Sequence, residues 1–227
     1  MPGNAPFSWH VSNGWIVLSG SVDSLSEIRA RALSRCDASG VIAYVSLKAD
    51  LGDALMDDMA ELGAATGYLV DIEEGDNNVI YERLSNAAMI VVEADCPGQK
   101  LERLLRHTAL HAMKEALNRG ALILLEGSAA ATAGEFILDS TGGVTGGLGL
   151  VKNALIASDI LGIAEDKLLR SVRIQLPDKT FLGLAPGSAL VLGPDGRIET
   201  WGEAQVSISL SDLATNSVDV ERDWALE

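Results

Sequence analysis

Short apolar runs alternate with amphipathic segments from Trp15 to about Leu138, and this alternation constrains the fold more than any other feature. The runs lie at residues 15–18, 41–46, 68–72, 88–92 and 121–125. Runs of this length are typical of buried strands, and the segments between them have the apolar spacing of helices. Because parallel strands need crossover helices, the pattern predicts a doubly wound α/β fold with a mostly parallel sheet.

Local signals place the helices and turns around these strands. Helices are predicted over residues 24–35, 53–62, 99–118 and 129–138. Ser24 and Glu27 have the spacing of a capping box at the start of the first helix, and Gly63 suits the end of the second. The Asn13-Gly14 pair predicts a hairpin that joins residues 7–11 to the first strand of the alternating region.

The pattern changes after Ser140. Residues 141–149 contain five glycines, which favours turns over helix. Beyond them, alternating runs at residues 172–176, 181–184, 189–192, 197–200 and 205–210 are separated by turn-forming pairs such as Pro177-Asp178. These runs predict a C-terminal antiparallel meander that extends the parallel sheet. We therefore expect a single α/β domain over residues 1–227.

The net charge of −15 excludes whole classes of function. A nucleic acid would be repelled by this charge, and no basic stripe opposes it.

No apolar stretch approaches the roughly 20 residues that cross a bilayer, and the N-terminus has no signal-peptide pattern. Cys36 and Cys96 fit neither a zinc-ligand spacing nor a disulfide framework, so we expect a cytoplasmic protein without a metal.

Four segments carry a resemblance to a known family. They are residues 19–21, residues 90–99 with 104–108 and 119–120, residues 121–131, and residues 182–197. In this order they resemble the cyanophycinase-like serine peptidases, which include the aspartyl dipeptidases and share the fold of the class I glutamine amidotransferases. The resemblance implies the same α/β fold, a homodimer, and a nucleophilic serine on the turn that follows the strand at residues 121–125.

The expected serine motif is altered. In a nucleophile elbow, small residues two before and two after the serine allow a sharp strand-to-helix turn. The resemblance implies Ser128 as the candidate nucleophile position, but Glu126 then occupies one of the small positions. A shift of one residue places Ala129, which has no hydroxyl, at the nucleophile position. The simpler interpretation of Ser128 is an N-cap for the predicted helix 129–138.

The expected base is missing as well. The resemblance implies a histidine after residues 147–157, where this chain has Asp159, and no histidine follows His111. A serine hydroxyl without a base is a weak nucleophile. The turn implied to bind the oxyanion reads Glu93-Ala94-Asp95, and a carboxylate there would oppose the developing negative charge.

These departures lead to a principal hypothesis and two alternatives. The principal one is a cyanophycinase-like protein with a degenerate, non-catalytic site that serves binding, assembly or regulation. The first alternative is an active serine hydrolase on acidic or isoaspartyl peptides, with His10, His107 or His111 reaching Ser128. The second is an acidic pocket that binds a cation or an Arg-containing peptide, formed by Glu93, Asp95, Glu126 and Asp159.

Other candidates have plain structural interpretations. Solvated loop carboxylates would explain the acidic residues without any pocket. The spacing of His107 and His111 would place both on one helix face, where a surface pair is the simpler interpretation than a metal site. Cys96 precedes Pro97-Gly98 in the turn that the resemblance assigns to substrate binding, and it is either reactive or an inert loop thiol. We expect no cofactor, and a peptide or small polar molecule as ligand.

Overall fold

A computed structural model of the chain describes residues 6–10, 12–22, 26–37, 39–47, 49–64, 67–94, 96–202 and 205–210. Strands and helices alternate in the first half, and strands dominate the second half. In chain order the elements are β1 (Ser8–Trp9), β2 (Trp15–Ser19), α1 (Glu27–Arg35), β3 (Ile42–Val45), α2 (Ala49–Glu61), β4 (Gly67–Val70), α3 (Asn77–Ser85), β5 (Met89–Val92), α4 (Gly98–Leu105), α5 (Thr108–Asn118), β6 (Leu122–Glu126), α6 (Ser128–Thr132), β7 (Gly134–Leu138), β8 (Val144–Gly146), β9 (Val151–Ser158), α7 (Lys167–Gln175), β10 (Thr180–Leu184), β11 (Ser188–Leu192), β12 (Ile198–Gly202) and β13 (Val206–Ser209).

The alternating region forms the first sheet. Its strand order is β12-β11-β2-β6-β5-β3-β4, and the five strands from β2 to β4 are parallel. Helices α3, α4 and α5 cover one face of this sheet, and α1 and α2 cover the other. Apolar side chains from both faces of the inner strands β2, β6, β5 and β3 are therefore buried, as in doubly wound proteins. The predicted fold class and all five predicted parallel strands are confirmed.

The C-terminal strands divide between two sheets. The antiparallel strands β11 and β12 extend the first sheet beyond β2, as the predicted meander required. The strands β10 and β13 instead belong to a second sheet with the order β13-β10-β9-β7-β8, in which β1 also pairs with β9. Strand β10 runs parallel to β9 and antiparallel to β13. The expected single meander is thus only partly correct.

Residues 172–176, predicted as the first strand of the meander, lie instead at the end of helix α7. The buried residues of α7 are Leu169 and Val172, which have the i, i+3 spacing of a helix face. Asp166 caps the helix, because its Oδ1 accepts hydrogen bonds from the backbone N–H groups of Leu168 (2.8 Å) and Leu169 (2.9 Å). The strand prediction was wrong because the cap lies outside the apolar run on which it was based.

Asp166→Ala is expected to lower the free energy of unfolding by about 1 kcal/mol, because it removes this cap. Asp178→Ala is the matched control, since Asp178 is an exposed residue in the turn after the same helix. Urea denaturation would measure both changes. Equal losses for the two variants would contradict the capping role of Asp166.

Three other local predictions were wrong. Residues 8–9 pair with β9 and do not form a hairpin with β2. The predicted helix 99–118 is broken at His107, whose φ and ψ of −101° and −101° are not helical. The helix predicted over 129–138 ends at Thr132, and β7 follows, because its residues pair with β9. Within the described residues, no helix combines the length and apolar character needed to cross a bilayer.

Candidate functional site

A cavity of about 540 Å³ opens at the carboxyl ends of β2, β5 and β6. Ligand sites of doubly wound sheets lie at this edge. The cavity brings together five of the residues singled out from the sequence, which are Glu93, Cys96, Glu126, Ser128 and Asp159. It is lined by residues 21–22, 93–94, 96–97, 126–128 and 159.

Two residues singled out from the sequence do not contribute to the described cavity wall. Ala129 is fully buried in the core beneath it. Asp95 lies outside the described residues. The structure therefore describes three of the four carboxylates that were expected to form the pocket.

The sharp strand-to-helix turn lies at Gly127, one residue before Ser128. Gly127 has φ 55° and ψ −122°, a conformation that residues with a side chain rarely adopt. A Cβ atom built on Gly127 would meet no clash, with Ser21 Oγ at 3.8 Å and Asp159 Oδ2 at 3.9 Å in ordinary van der Waals contact. The turn thus has the shape of a nucleophile elbow and carries no side chain.

The hydroxyl of Ser128 forms a structural hydrogen bond. Its Oγ donates a hydrogen bond to the backbone carbonyl oxygen of Ala94 at 2.7 Å. Helix α6 begins at Ser128 itself, with Gly127 as its N-cap, so the interpretation of Ser128 as an N-cap was wrong. The serine ties the start of α6 to the loop after β5.

All three histidines lie in the described part of the chain, and none of them lines this cavity. His10 Nε2 is 3.2 Å from Asn118 Oδ1. His107 lines a separate cavity, and His111 stacks on Tyr81 with ring centroids 5.6 Å apart. The sequence hypothesis that a histidine reaches Ser128 from another element finds no support in this arrangement.

Asp159 closes one wall of the cavity. It follows β9 with a left-handed φ of 61°, and its Oδ1 accepts a hydrogen bond from the backbone N–H of Ser21 at 2.6 Å. This contact joins the carboxyl end of β9 in the second sheet to that of β2 in the first. Asp159 Oδ2 faces the space beside Gly127.

Glu93 and Glu126 of the cavity wall belong to a buried ionic cluster centred on Arg29 of α1. Its side chain is 3% exposed and binds Glu126 through two bonds, Nε to Oε1 at 3.0 Å and Nη2 to Oε2 at 2.7 Å. Its Nη1 donates to Asp58 Oδ2 at 3.0 Å, and Nη2 is 3.7 Å from Glu93 Oε1. One guanidinium therefore joins two helices to the ends of β5 and β6.

The cluster shifts the pKa values of its members. Burial alone would lower the pKa of the Arg29 guanidinium, but the hydrogen bond and negative charge of Glu126, with Glu93 and Asp58, raise it. Burial raises the pKa of Glu93, and the charges of Glu126 and Asp58 raise it further, while Arg29 acts in the opposite direction. Arg29 therefore keeps its charge, and the environment of Glu93 favours its neutral form more than water would.

Arg29, Ser21 and Gly127 were missed from the sequence. A signal for Arg29 existed, because it lies next to Ile28 and three residues before Ala32, both buried on the same helix face. A charged residue on such a face needs a buried partner. For Gly127 the signal was ambiguous, because a glycine at the end of a strand is common at ordinary turns.

The described residues contain no group of three or more histidine, cysteine, aspartate or glutamate side chains placed to hold a metal ion. Both oxygens of Glu126 face Arg29, which removes Glu126 from the set of four carboxylates suggested as a cation site. Cys96 lines the cavity, with its Sγ 3.6 Å from the carbonyl oxygen of Pro97.

Neither a protein-family model nor a curated protein matches this sequence. Among solved structures, a peptidase from an acI-B1 Actinobacterium is similar, with a TM-score of 0.70 and 16% identity over 88% of this chain and 92% of that chain. A putative peptidase E protein from Listeria monocytogenes EGD-e has a TM-score of 0.63 and 14% identity, over 84% of this chain and 99% of that chain. The chain thus shares the α/β fold of these peptidases, which the resemblance implied.

Proposed function

We propose that this cavity is a degenerate serine-peptidase site of the cyanophycinase-like type, which binds a ligand and does not catalyse hydrolysis. The conformation of Gly127 carries the proposal. An elbow nucleophile stands on the strained residue of the turn, and here that residue has no side chain. On this interpretation Gly127 replaces the nucleophile, and the backbone N–H of Ser128 is what remains of the oxyanion-binding group.

The residue at the position of the base supports the same function. Asp159 faces the space beside Gly127, where the resemblance implies a histidine. A carboxylate is a much weaker base than an imidazole, so it would activate a hydroxyl poorly. Glu93 on the cavity wall adds a negative charge where an oxyanion would develop, which opposes acyl transfer further.

A fluorophosphonate probe tests the absence of a nucleophile. We expect no labelling of the wild-type protein at any serine, and no turnover of a dipeptide panel that includes aspartyl and isoaspartyl substrates. Ser128→Ala should give the same null result, because the Ser128 hydroxyl is held by the Ala94 carbonyl.

Stoichiometric labelling of Ser128 that is lost in Ser128→Ala would instead establish an active serine hydrolase. Turnover abolished by mutation of His10, His107 or His111 would support the same alternative. Mass spectrometry of the labelled protein distinguishes these results from labelling of an unrelated serine.

A further inference from the structure

We propose that the cavity binds the primary ammonium group of a ligand, with Glu93 and Asp159 as the contacting carboxylates. This inference rests on the proposed binding function and specifies the chemical class of the ligand. It follows from the charge balance of the cavity, the missing side chain at the elbow and a buried hydroxyl paired in register with Glu126.

The charges around Arg29 do not balance. Its one positive charge faces the carboxylates of Glu126, Asp58 and Glu93, so the cluster retains negative charge when all three are ionised. Asp159 adds another carboxylate, whose Oδ1 accepts a hydrogen bond from the uncharged backbone N–H of Ser21. A cation that enters the cavity would be attracted by this excess of negative charge, because opposite charges within a few ångströms favour each other.

Only some of these carboxylates are available to a ligand. Both oxygens of Glu126 are held by Arg29, and its side chain is 3% exposed. Asp58 accepts from Arg29 and does not line the cavity. Glu93, by contrast, lines the cavity with a 37% exposed side chain and lies 3.7 Å from Arg29, beyond a normal hydrogen bond. Asp159 Oδ2 faces the space beside Gly127 from another wall.

An independent observation comes from Ser19, the last residue of β2. Its side chain is fully buried, and its Oγ has no hydrogen-bond partner among the described residues. Ser19 is paired with Glu126 in the register of β2 and β6, so both side chains lie on the same face of the sheet. Buried hydroxyls are normally satisfied, so this one marks an unused polar position next to Glu126, although Ser19 itself is not a lining residue of the cavity.

The shape of the cavity favours an ammonium group over a guanidinium. An ammonium is compact and has three donors, so it can contact carboxylates that approach from separate walls. A guanidinium is planar and best matched by a single bidentate carboxylate, a role that Glu126 already fills for Arg29. Val22, Ala94 and Pro97 provide apolar surface for an aliphatic chain attached to the amine.

Binding should depend on pH in a defined direction. The charged groups that face Glu93 are Arg29 on α1, Asp58 on α2 and Glu126 on β6, and burial with the two carboxylates raises the pKa of Glu93. Glu93 is neutral below this raised pKa and negative above it. The affinity for an ammonium should therefore increase as the pH rises through the pKa of Glu93, while the ligand remains protonated.

Two amine probes identify the source of the ammonium group, and each has a neutral counterpart. Nα-acetyl-lysine amide presents a side-chain ammonium, and Nα,Nε-diacetyl-lysine amide lacks it. Alanyl-alanine amide presents a peptide N-terminus, and its acetylated form lacks it. We expect binding of at least one amine and of neither neutral counterpart, measured by NMR titration or calorimetry of the full chain.

Substitution of the two contacting carboxylates tests where the amine binds. Glu93→Gln and Asp159→Asn should each weaken binding of that amine about tenfold, because each removes one charge-assisted contact. Glu82→Gln is the matched control, since Glu82 is exposed on α3 away from the cavity, and it should bind like the wild type. The unfolding midpoint of each variant shows whether it is folded.

Several results would overturn the inference. These are the failure of both amines to bind, equal binding of the neutral counterparts, equal binding of Nα-acetyl-arginine amide, and unchanged affinity in folded Glu93→Gln and Asp159→Asn. Fluorophosphonate labelling tests the proposed function separately. A protein that neither reacts with the probe nor binds amines would refute only the ligand class.

Discussion

Glu126→Leu is expected to lower the free energy of unfolding by about 3–5 kcal/mol, measured by urea denaturation. Glu126 and Arg29 are each only 3% exposed and are joined by two hydrogen bonds. Removing the glutamate leaves a buried guanidinium with only Asp58 and the more distant Glu93 as partners. Leucine offers the guanidinium no acceptor, so part of the buried charge is left uncompensated.

A double variant separates the ion pair from simple packing. Arg29→Met alone should also cost about 3–5 kcal/mol, because it leaves Glu126 buried without a cation. Arg29→Met combined with Glu126→Leu should recover most of the loss, because two apolar side chains of similar volume can pack together. A double variant as unstable as the sum of the single variants would contradict this explanation.

Glu27→Gln provides the control on the same helix. Glu27 forms an ion pair with Arg31, and both side chains are about half exposed, at 55% and 49%. An exposed pair of this kind contributes less than about 1 kcal/mol. A loss as large as that of Glu126→Leu would show that the method does not distinguish buried from surface pairs in this protein.

Restoring the missing groups is expected to convert an unreactive cavity into one that a fluorophosphonate labels. Gly127→Ser alone should remain unlabelled, because Asp159 is a poor base for a serine hydroxyl. Gly127→Ser with Asp159→His should be labelled at residue 127, since a side chain on Gly127 would have the side chain of residue 159 as a neighbour. Mass spectrometry would identify the labelled residue.

Gly127→Ser is also expected to lower the stability of the protein, so its unfolding should be measured together with its labelling. A serine at φ 55° and ψ −122° is strained, and we expect a loss of about 1–3 kcal/mol of stability. Asp159→His alone is the control and should remain unlabelled, because it supplies a base without a nucleophile. Labelling at Ser128 in any variant would contradict the placement of the elbow at Gly127.

The sequence was most informative where one local pattern had one structural solution. The inner parallel strands β3, β5 and β6 were predicted because each is buried on both faces and therefore forms a continuous apolar run. Helix α7 was missed because residues 172–176 have too few positions to distinguish a strand from the end of a helix. The cap at Asp166, which would have resolved this, lies outside the run.

The sequence predicted strands in the C-terminal region but not the strands with which they pair. Runs at residues 181–184 and 189–192 are strands, yet β10 pairs with β9 and β11 pairs with β2. Both runs are apolar along their whole length, so neither carries a pattern that specifies a sheet. Which strands become neighbours depends on contacts across the whole chain, and these contacts leave no local signal.

By itself the sequence determined the doubly wound fold class, the absence of a histidine after His111 and the presence of carboxylates at the ends of the central strands. Only the tertiary structure decided that Glu126 is neutralised by Arg29, 97 residues away in the chain, and that Glu93 faces the cavity. It also placed the strained turn at Gly127 and not at Ser128. The reason is physical: residue type and spacing are local properties, whereas the charge state and exposure of a side chain depend on which distant groups the fold brings beside it.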